Sequence, residues 1–244
     1  IEAVSLSDPG NPTLALTIDL SPWGGLGAHA TSVAVRDGVL AVAVPQGDED
    51  TGPGKVLFFD THGGFLSAVT VGELPDMLIF TPNGRFVLTA NEGQPMDDYS
   101  YDPEGSVSII DMSAGAASLT DADVTRAGFT AFNSTPIDPR IRIFGPGATV
   151  AQDLEPEYIA VSHDSRTAWV TLQENNAIAI VDLTRKKVTS LVALGVKDHS
   201  IAGYGLDGGR DDGGNNIRTW PVLGMYQPDA IAQRAIGGTT YGMA

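Results

Sequence analysis

The chain has no cysteine among its 244 residues. That removes disulfides and thiolate chemistry and leaves the redox compartment open. It is poor in basic residues: 14 Lys and Arg stand against 30 Asp and Glu, a formal charge of −16. Binding to nucleic-acid phosphates needs clustered Lys and Arg, so a nucleic-acid partner is excluded. Cations are the natural counterparts of such a surface. No apolar run approaches the ~20 residues of a membrane span. No signal peptide is visible, and because the chain opens at Ile1, its removal by processing or truncation stays open. Catalytic signatures are missing too. There is no Gly-x-Ser-x-Gly elbow, and no Lys-Ser/Thr follows Gly145-Pro146-Gly147 to make a phosphate loop. His29, His62, His163 and His199 match no HxH or HExxH spacing.

What is present is turn-rich and strand-rich, with 29 Gly and 15 Pro around short β-branched runs. Residues 154–194 are the clearest case: apolar runs at 158–161, 168–172, 177–183 and 188–194 are separated by short polar breaks. That spacing predicts a four-stranded antiparallel meander. The unit recurs. An earlier copy occupies about 30–71, with an Asp37-Gly38 hairpin turn, another begins at Leu74-Pro75-Asp76, and a fourth opens at Tyr226-Gln227-Pro228-Asp229. Pro75 matches Pro156, Asn83-Gly84-Arg85 matches Asp164-Ser165-Arg166, Glu92 matches Glu174, and GKVLFFD, GSVSIID and NAIAIVD end alike at Asp60, Asp111 and Asp182. Such units bury their faces by stacking on one another, so the expected fold is an all-β propeller of four-stranded antiparallel blades, about three to four in this chain. A β-sandwich is the rival. Pro75 and Pro156 are further apart than the roughly 40–50 residues of a blade, so 113–153 is read as an inter-blade insertion. A Gly/Asp-rich second insertion spans 195–224, and 1–244 form a single partial domain. The fourth repeat stops midway through a hairpin near Thr239-Thr240-Tyr241. The expectation is that the rest of the same protein, or another copy, completes the propeller.

Several long phrases carry a resemblance: ELPDMLIFTPNGRFVLTANEGQP, DPEGSVSIIDM, RIFGPGATVAQDLEPEYIAVSHDSRTAWVTLQENNAIAIVDL, and KDHS with DGGNNIRTWPVLGMYQPDAIA. From about Thr31 onward the chain resembles the choice-of-anchor I family. That resemblance implies a β-propeller domain of secreted or surface-anchored proteins, akin in pattern to YVTN-type propellers. Such domains occur in mesenchyme-specific cell surface glycoproteins and in atypical bacterial alkaline phosphatases. The implied setting is extracellular or cell-surface, with the periplasm as an alternative. The family's fourth repeat continues through another TANEG-like strand, whereas this chain ends at Tyr241-Gly242-Met243-Ala244.

Two acidic loops are candidate metal sites. Residues 91–105 hold Glu92, Asp97, Asp98, Asp102 and Glu104, hard oxygen donors at a density suited to Ca²⁺. Residues 205–216, GLDGGRDDGGNN, hold Asp207, Asp211 and Asp212 among glycines that let carbonyls turn inward, without the spacing of an EF-hand. For both, a solvated or flexible acidic loop is the plainer alternative. The run Asp48-Glu49-Asp50 reads as a solvated turn. His199, in Lys197-Asp198-His199-Ser200, is a weak catalytic candidate. Arg210 and Arg218 beside it could hold an anion but more simply pair with neighbouring Asp. Glu155 and Glu157 flank Pro156; they either point into a central channel or, as the favoured reading has it, are solvated turn residues. Trp23, Trp169 and Trp220 read as packing residues. The leading expectation is a secreted or cell-surface propeller that binds Ca²⁺ and serves as a structural or ligand-binding module, without catalysis of its own, for a cell-surface partner. The alternatives are a calcium-dependent phosphoesterase resembling alkaline phosphatase and a subunit of an extracellular filament or surface layer.

Overall fold

The computed structural model describes residues 1–46, 51–209, 211, 213–237 and 239–244. Asp48, Glu49, Asp50, Arg210 and Asp212 lie outside the described residues. The chain opens with a hairpin, β1 (Glu2–Ser5) and β2 (Thr13–Thr17), and a helical turn, α1 (Ser21–Gly24). Three four-stranded antiparallel sheets follow. Blade one is β3 (Ser32–Arg36), β4 (Val39–Val44), β5 (Pro53–Asp60) and β6 (Phe65–Glu73). Blade two is β7 (Pro75–Phe80), β8 (Phe86–Asn91), β9 (Ser106–Asp111) and β10 (Val124–Gly128). After the short helix α2 (Val150–Asp153) comes blade three: β11 (Pro156–Val161), β12 (Thr167–Leu172), β13 (Ala177–Asp182) and β14 (Lys187–Ala193). A small hairpin, β15 (Val196–Asp198) with β16 (Leu223–Met225), precedes β17 (Ala232–Ile236) and β18 (Thr239–Met243), which pair as the start of a fourth unit.

Each sheet is a meander in chain order, and the first strands line up side by side: β3 packs on β7, β7 on β11, and β11 on β17. This is a β-propeller arc of three complete blades and the inner hairpin of a fourth; no closed sheet forms among the described residues. The segment 113–153, expected to be a plain insertion, supplies β10, the outer strand of blade two. Val124–Gly128 is short and carries Arg126 and Gly128 between small residues, so its apolar signal is weak. Residues 141–144, which read as a strand, form no strand.

Continuous apolar runs in the middle strands follow from burial on both faces. In β4, Ala41 and Ala43 face blade two while Val42 and Val44 face the β1–β2 side. In β5, Val56 and Phe58 divide from Leu57 and Phe59 in the same way. In β8, Val87 packs toward blade one, and Phe86, Leu88 and Ala90 toward blade three. Period-two pleating with a blade on either side makes every position apolar or small. Burying one such Leu or Phe stabilises by about 1.5–3 kcal/mol, so the inter-blade clusters hold the arc together.

The repeated aspartates have a local cause. Asp60 accepts from His62 N and Gly64 N, both at 2.8 Å; Asp111 accepts from Ser113 N at 3.2 Å; and Asp182 accepts from Thr184 N at 2.9 Å. Each closes the turn after its third strand by offering the backbone a side-chain acceptor. Trp23 stacks on Phe65 with ring centroids 4.5 Å apart and meets Phe59 edge-on, sealing the side of blade one.

Candidate metal centre at the propeller axis

The first strands start, and the second strands end, at one end of the arc, beside the axis. Pro75 and Pro156 open β7 and β11, where an absent N–H costs nothing. Immediately after each proline the register with the neighbouring strand slips, between Pro75 and Met77 and between Pro156 and Ile159. A bulge of this kind re-aims the side chain it carries, here Asp76 and Glu157. Leu74, just before Pro75, has φ +48°, and Gln227, just before Pro228, has φ +42°. Left-handed backbone at such residues is strained, and strain of this sort collects at working sites.

Glu92 follows β8. Its amide donates to Leu74 O at 2.9 Å and that of Gly93 to Glu73 O at 3.1 Å, which pins the end of β8 to the entry of β7. Asn91, wholly buried, donates to Ser106 O at 3.1 Å and Ser108 Oγ at 2.9 Å and accepts from Thr89 Oγ1 at 2.7 Å. The outcome is a group of three carboxylates, Asp76, Glu92 and Glu157, with one oxygen from each lying within 4.8 Å of the others.

Glu155 and Glu157 are 3% and 8% exposed, which corrects the reading of them as solvated turn residues: the axial bulge and the packing of α2 turn both inward. Glu155 is held from behind. Its amide donates to Asn175 Oδ1 at 3.2 Å, and Asn175 Nδ2 donates to Asp153 O at 2.6 Å and Arg142 O at 3.0 Å. Asp153, at the end of α2, accepts from Phe144 N at 2.9 Å and Gly145 N at 2.5 Å. Gln152, which closes a capping box with Thr149, donates from Nε2 to Asp102 O at 2.8 Å and ties the 92–105 loop to the helix.

The electrostatics are one-sided. Burial pushes the carboxyl of Glu92 up to about 8, reinforced by Glu155, Asp76 and Glu174. Burial likewise pushes Glu155 up to about 8, with Glu174 and Asp153 adding to it, and Glu157 up to about 8, with Glu92 and Asp76 adding to it. Asp76 is raised by burial and by Asp229, against a hydrogen bond with Glu157. Every charged neighbour acting on the three glutamates is acidic. Buried like charges cannot all ionise without a cation, so the group holds either protons or a metal ion. A Ca²⁺ shell has ligands at about 2.3–2.6 Å, so oxygens up to about 5 Å apart can share one ion. The donor set, all hard oxygen with no imidazole or thiolate, fits Ca²⁺ by the same criterion, with Asp76, Glu92 and Glu157 as the residues that would hold it.

Of the seven described residues singled out in the two acidic loops, Asp212 lying outside the described ones, only Glu92 enters this centre. Asp102 is half-buried at its rim, raised by burial and by Asp153. Asp98 caps its own turn at Ser100 N, 2.9 Å away, and is lowered by the hydrogen bonds from Ser100. Asp97 is exposed beside a neighbouring pocket, and Glu104 is exposed. Asp207 accepts from Asn216 N at 3.1 Å and Gly209 N at 3.4 Å, which closes its glycine loop, and Asp211 is exposed. His199 sits in the β15–β16 hairpin with Nδ1 2.6 Å from Tyr204 O and its ring against Gly224. Arg218 lies over the Trp220 ring at 3.9 Å. Asp76 and Glu174 carried no role in the sequence reading. Their signal was present in the repeats: an acid follows proline at Asp76, Glu157 and Asp229, and Glu92 matches Glu174. In a propeller both positions fall at the axis.

A family model described as "Choice-of-anchor I domain" matches residues 1–243. The chain belongs to the choice-of-anchor I domain family. No curated protein matches this choice-of-anchor I domain. Among solved structures it is similar to the β-propeller domain of Myceliophteria thermophila Cps50 (Swd1), with 12% identity, TM-score 0.49, and coverage of 79% of this chain and 52% of that one. A protein from Lactobacillus plantarum gives 18% identity, TM-score 0.49 and coverage of 79% and 50%. A putative 6-phosphogluconolactonase from Bacteroides uniformis gives 15%, TM-score 0.47, and 75% and 47%. The chain spans about half the length of these structures. No helix among the described residues is long and apolar enough to cross a membrane.

Proposed function

We propose that this choice-of-anchor I domain is an extracellular or cell-surface structural and ligand-binding module whose axis holds a divalent cation, Ca²⁺, on Asp76, Glu92 and Glu157. The observation that carries the reading is the convergence of three carboxylate oxygens within 4.8 Å, with every charged group that perturbs Glu92 and Glu157 among the described residues acidic. A cation there joins the entries of blades two and three, so its role is to fix the angle between blades and the surface they present. Extracellular modules bind Ca²⁺ with dissociation constants on the order of 10⁻⁴–10⁻³ M, a range matched to that setting. Among the described residues the outer edge of β18 pairs with no further strand, which leaves it open to strand addition. The phosphoesterase alternative would rest on Nε2 of His199, whose Nδ1 lies 2.6 Å from Tyr204 O, and among the described residues no group of three ligating side chains includes His199.

Thermal melting with Ca²⁺ and with EDTA tests the proposal. At a Ca²⁺ concentration 100 times the dissociation constant, a single site adds about 2.7 kcal/mol. For a chain of this size that is a rise in Tm of about 5–11 °C. The double substitution Asp76→Asn, Glu92→Gln should remove the part of the rise that the axial ion supplies. An unchanged Tm at about 100 mM Ca²⁺, 100 times the weakest of these constants, would sink the proposal.

A further inference from the structure

Next to the three-carboxylate group, Glu155 and Glu174 remain outside it. Glu155 is 3% exposed, and no hydrogen bond or ion pair engages its carboxylate among the described residues. Glu174 Oε2 is buried and has no hydrogen-bond partner. A buried carboxylate without a partner loses its hydration, and either a proton or a cation offsets that loss. Arg142 meets the backbone of Glu174 and not its carboxylate: Nη1 donates to Glu174 O at 3.2 Å, and its guanidinium lies 3.5 Å over the Phe144 ring. Both glutamates line one cavity of about 270 Å³, with Asp97, Gln94 and Tyr99 on its other walls.

We propose that Glu155 and Glu174 form a second divalent-cation site, separate from Asp76, Glu92 and Glu157 and open to this cavity. Two glutamates supply only part of the six to eight oxygens that Ca²⁺ takes. The remaining positions face the cavity, where the Gln94 and Asp97 side chains, water or an anionic oxygen of a ligand complete the shell. The first centre lies where the entries of two blades meet and suits a structural ion. The second has a free side and suits a ligand-binding one. Backbone ties through Asn175 hold Glu155 in place whether or not an ion is bound. The inference goes beyond the proposed axial ion and stands on different side chains.

Calorimetric titration of the metal-free chain with Ca²⁺, paired with Tb³⁺ luminescence excited through tyrosine, separates the two sites. The wild type should bind two Ca²⁺. Glu155→Gln with Glu174→Gln should bind one and lose the Tb³⁺ signal that depends on Tyr99, which Tyr99→Phe reports independently. Asp76→Asn with Glu92→Gln should bind one and keep that signal. Glutamine relieves repulsion at nearly constant volume, so both variants should fold, and circular dichroism in EDTA checks this. Equal Ca²⁺ stoichiometry in the wild type and the Glu155/Glu174 variant overturns the second site, and a loss confined to the Asp76/Glu92 variant does so while leaving the axial ion intact. Loss of all binding only in the Glu155/Glu174 variant supports the second site against the first. No binding in any form refutes both.

Discussion

Metal-free protein should lose stability as pH rises through neutrality, the reverse of the usual behaviour of a protein stabilised by its carboxylates. Glu92, Glu155 and Glu157 are each pushed up to about 8 in the folded state, from an ordinary value of 4.5. Between those limits the folded chain keeps protons that the unfolded chain has released. The slope of unfolding free energy against pH is therefore negative, at about −1.4 kcal/mol per pH unit for each proton retained. The contribution is fully present below the unfolded value and gone above the folded one. From pH 6 to 7.5, one retained proton is worth about 2 kcal/mol, a fall in Tm of about 4–8 °C for a domain of this length; two would double it. The groups shifted the other way, such as Asp138 at about 2 beside Arg140 and the lowered Asp60 and Asp164, titrate below this window and do not mask the effect. The assay is differential scanning fluorimetry in EDTA across pH 5.5–8.5, repeated in saturating Ca²⁺. With the ion in place of the protons, the profile should flatten and cross above the EDTA curve near neutrality. A Tm in EDTA that stays level or climbs between pH 6 and 7.5 would show that these carboxyls are not buried together, and the axial centre would fall with them.

Two substitutions probe the scaffold around the site. Asn175→Ala leaves Glu155 N, Asp153 O and Arg142 O without their shared partner; it should cost about 3 kcal/mol and weaken Ca²⁺ binding, and a Tm within a degree of wild type in a melting experiment would contradict that accounting. Gly105→Ala would drive a methyl group onto Leu154 O and to 2.7 Å from Pro156 Cδ, so a loss of about 3 kcal/mol should show in urea unfolding; Gly128→Ala, whose methyl meets nothing within 4 Å, is the control, and equal losses in the two would refute the packing argument.

The blades were legible because burial on both faces turns each middle strand into an apolar run that no turn former interrupts, and the terminal aspartates mark the turns by a local hydrogen bond. β10 was hidden for the opposite reason: as an outer strand it buries little, so its composition resembles a loop. In the candidate site, the density of acid in 91–105 drew attention to five residues, yet only Glu92 stands where β8 meets the entry to β7. Asp97, Asp98 and Glu104 remain at the surface, because crowding along the chain is relieved by pointing side chains into water.

By itself the sequence determined the repeat, the strand boundaries within it, the all-β class and the acid surplus that makes cations the natural ligands, since each follows from local periodicity and counting. Only the tertiary structure decided which acids act together. Asp76, Glu92 and Glu157 come from three separate strand ends, and a bulge behind each proline, with the side-by-side packing of β7 and β11, brings their oxygens within 4.8 Å. Repulsion among buried charges depends on distance and solvent exclusion, and neither is fixed before the blades are stacked.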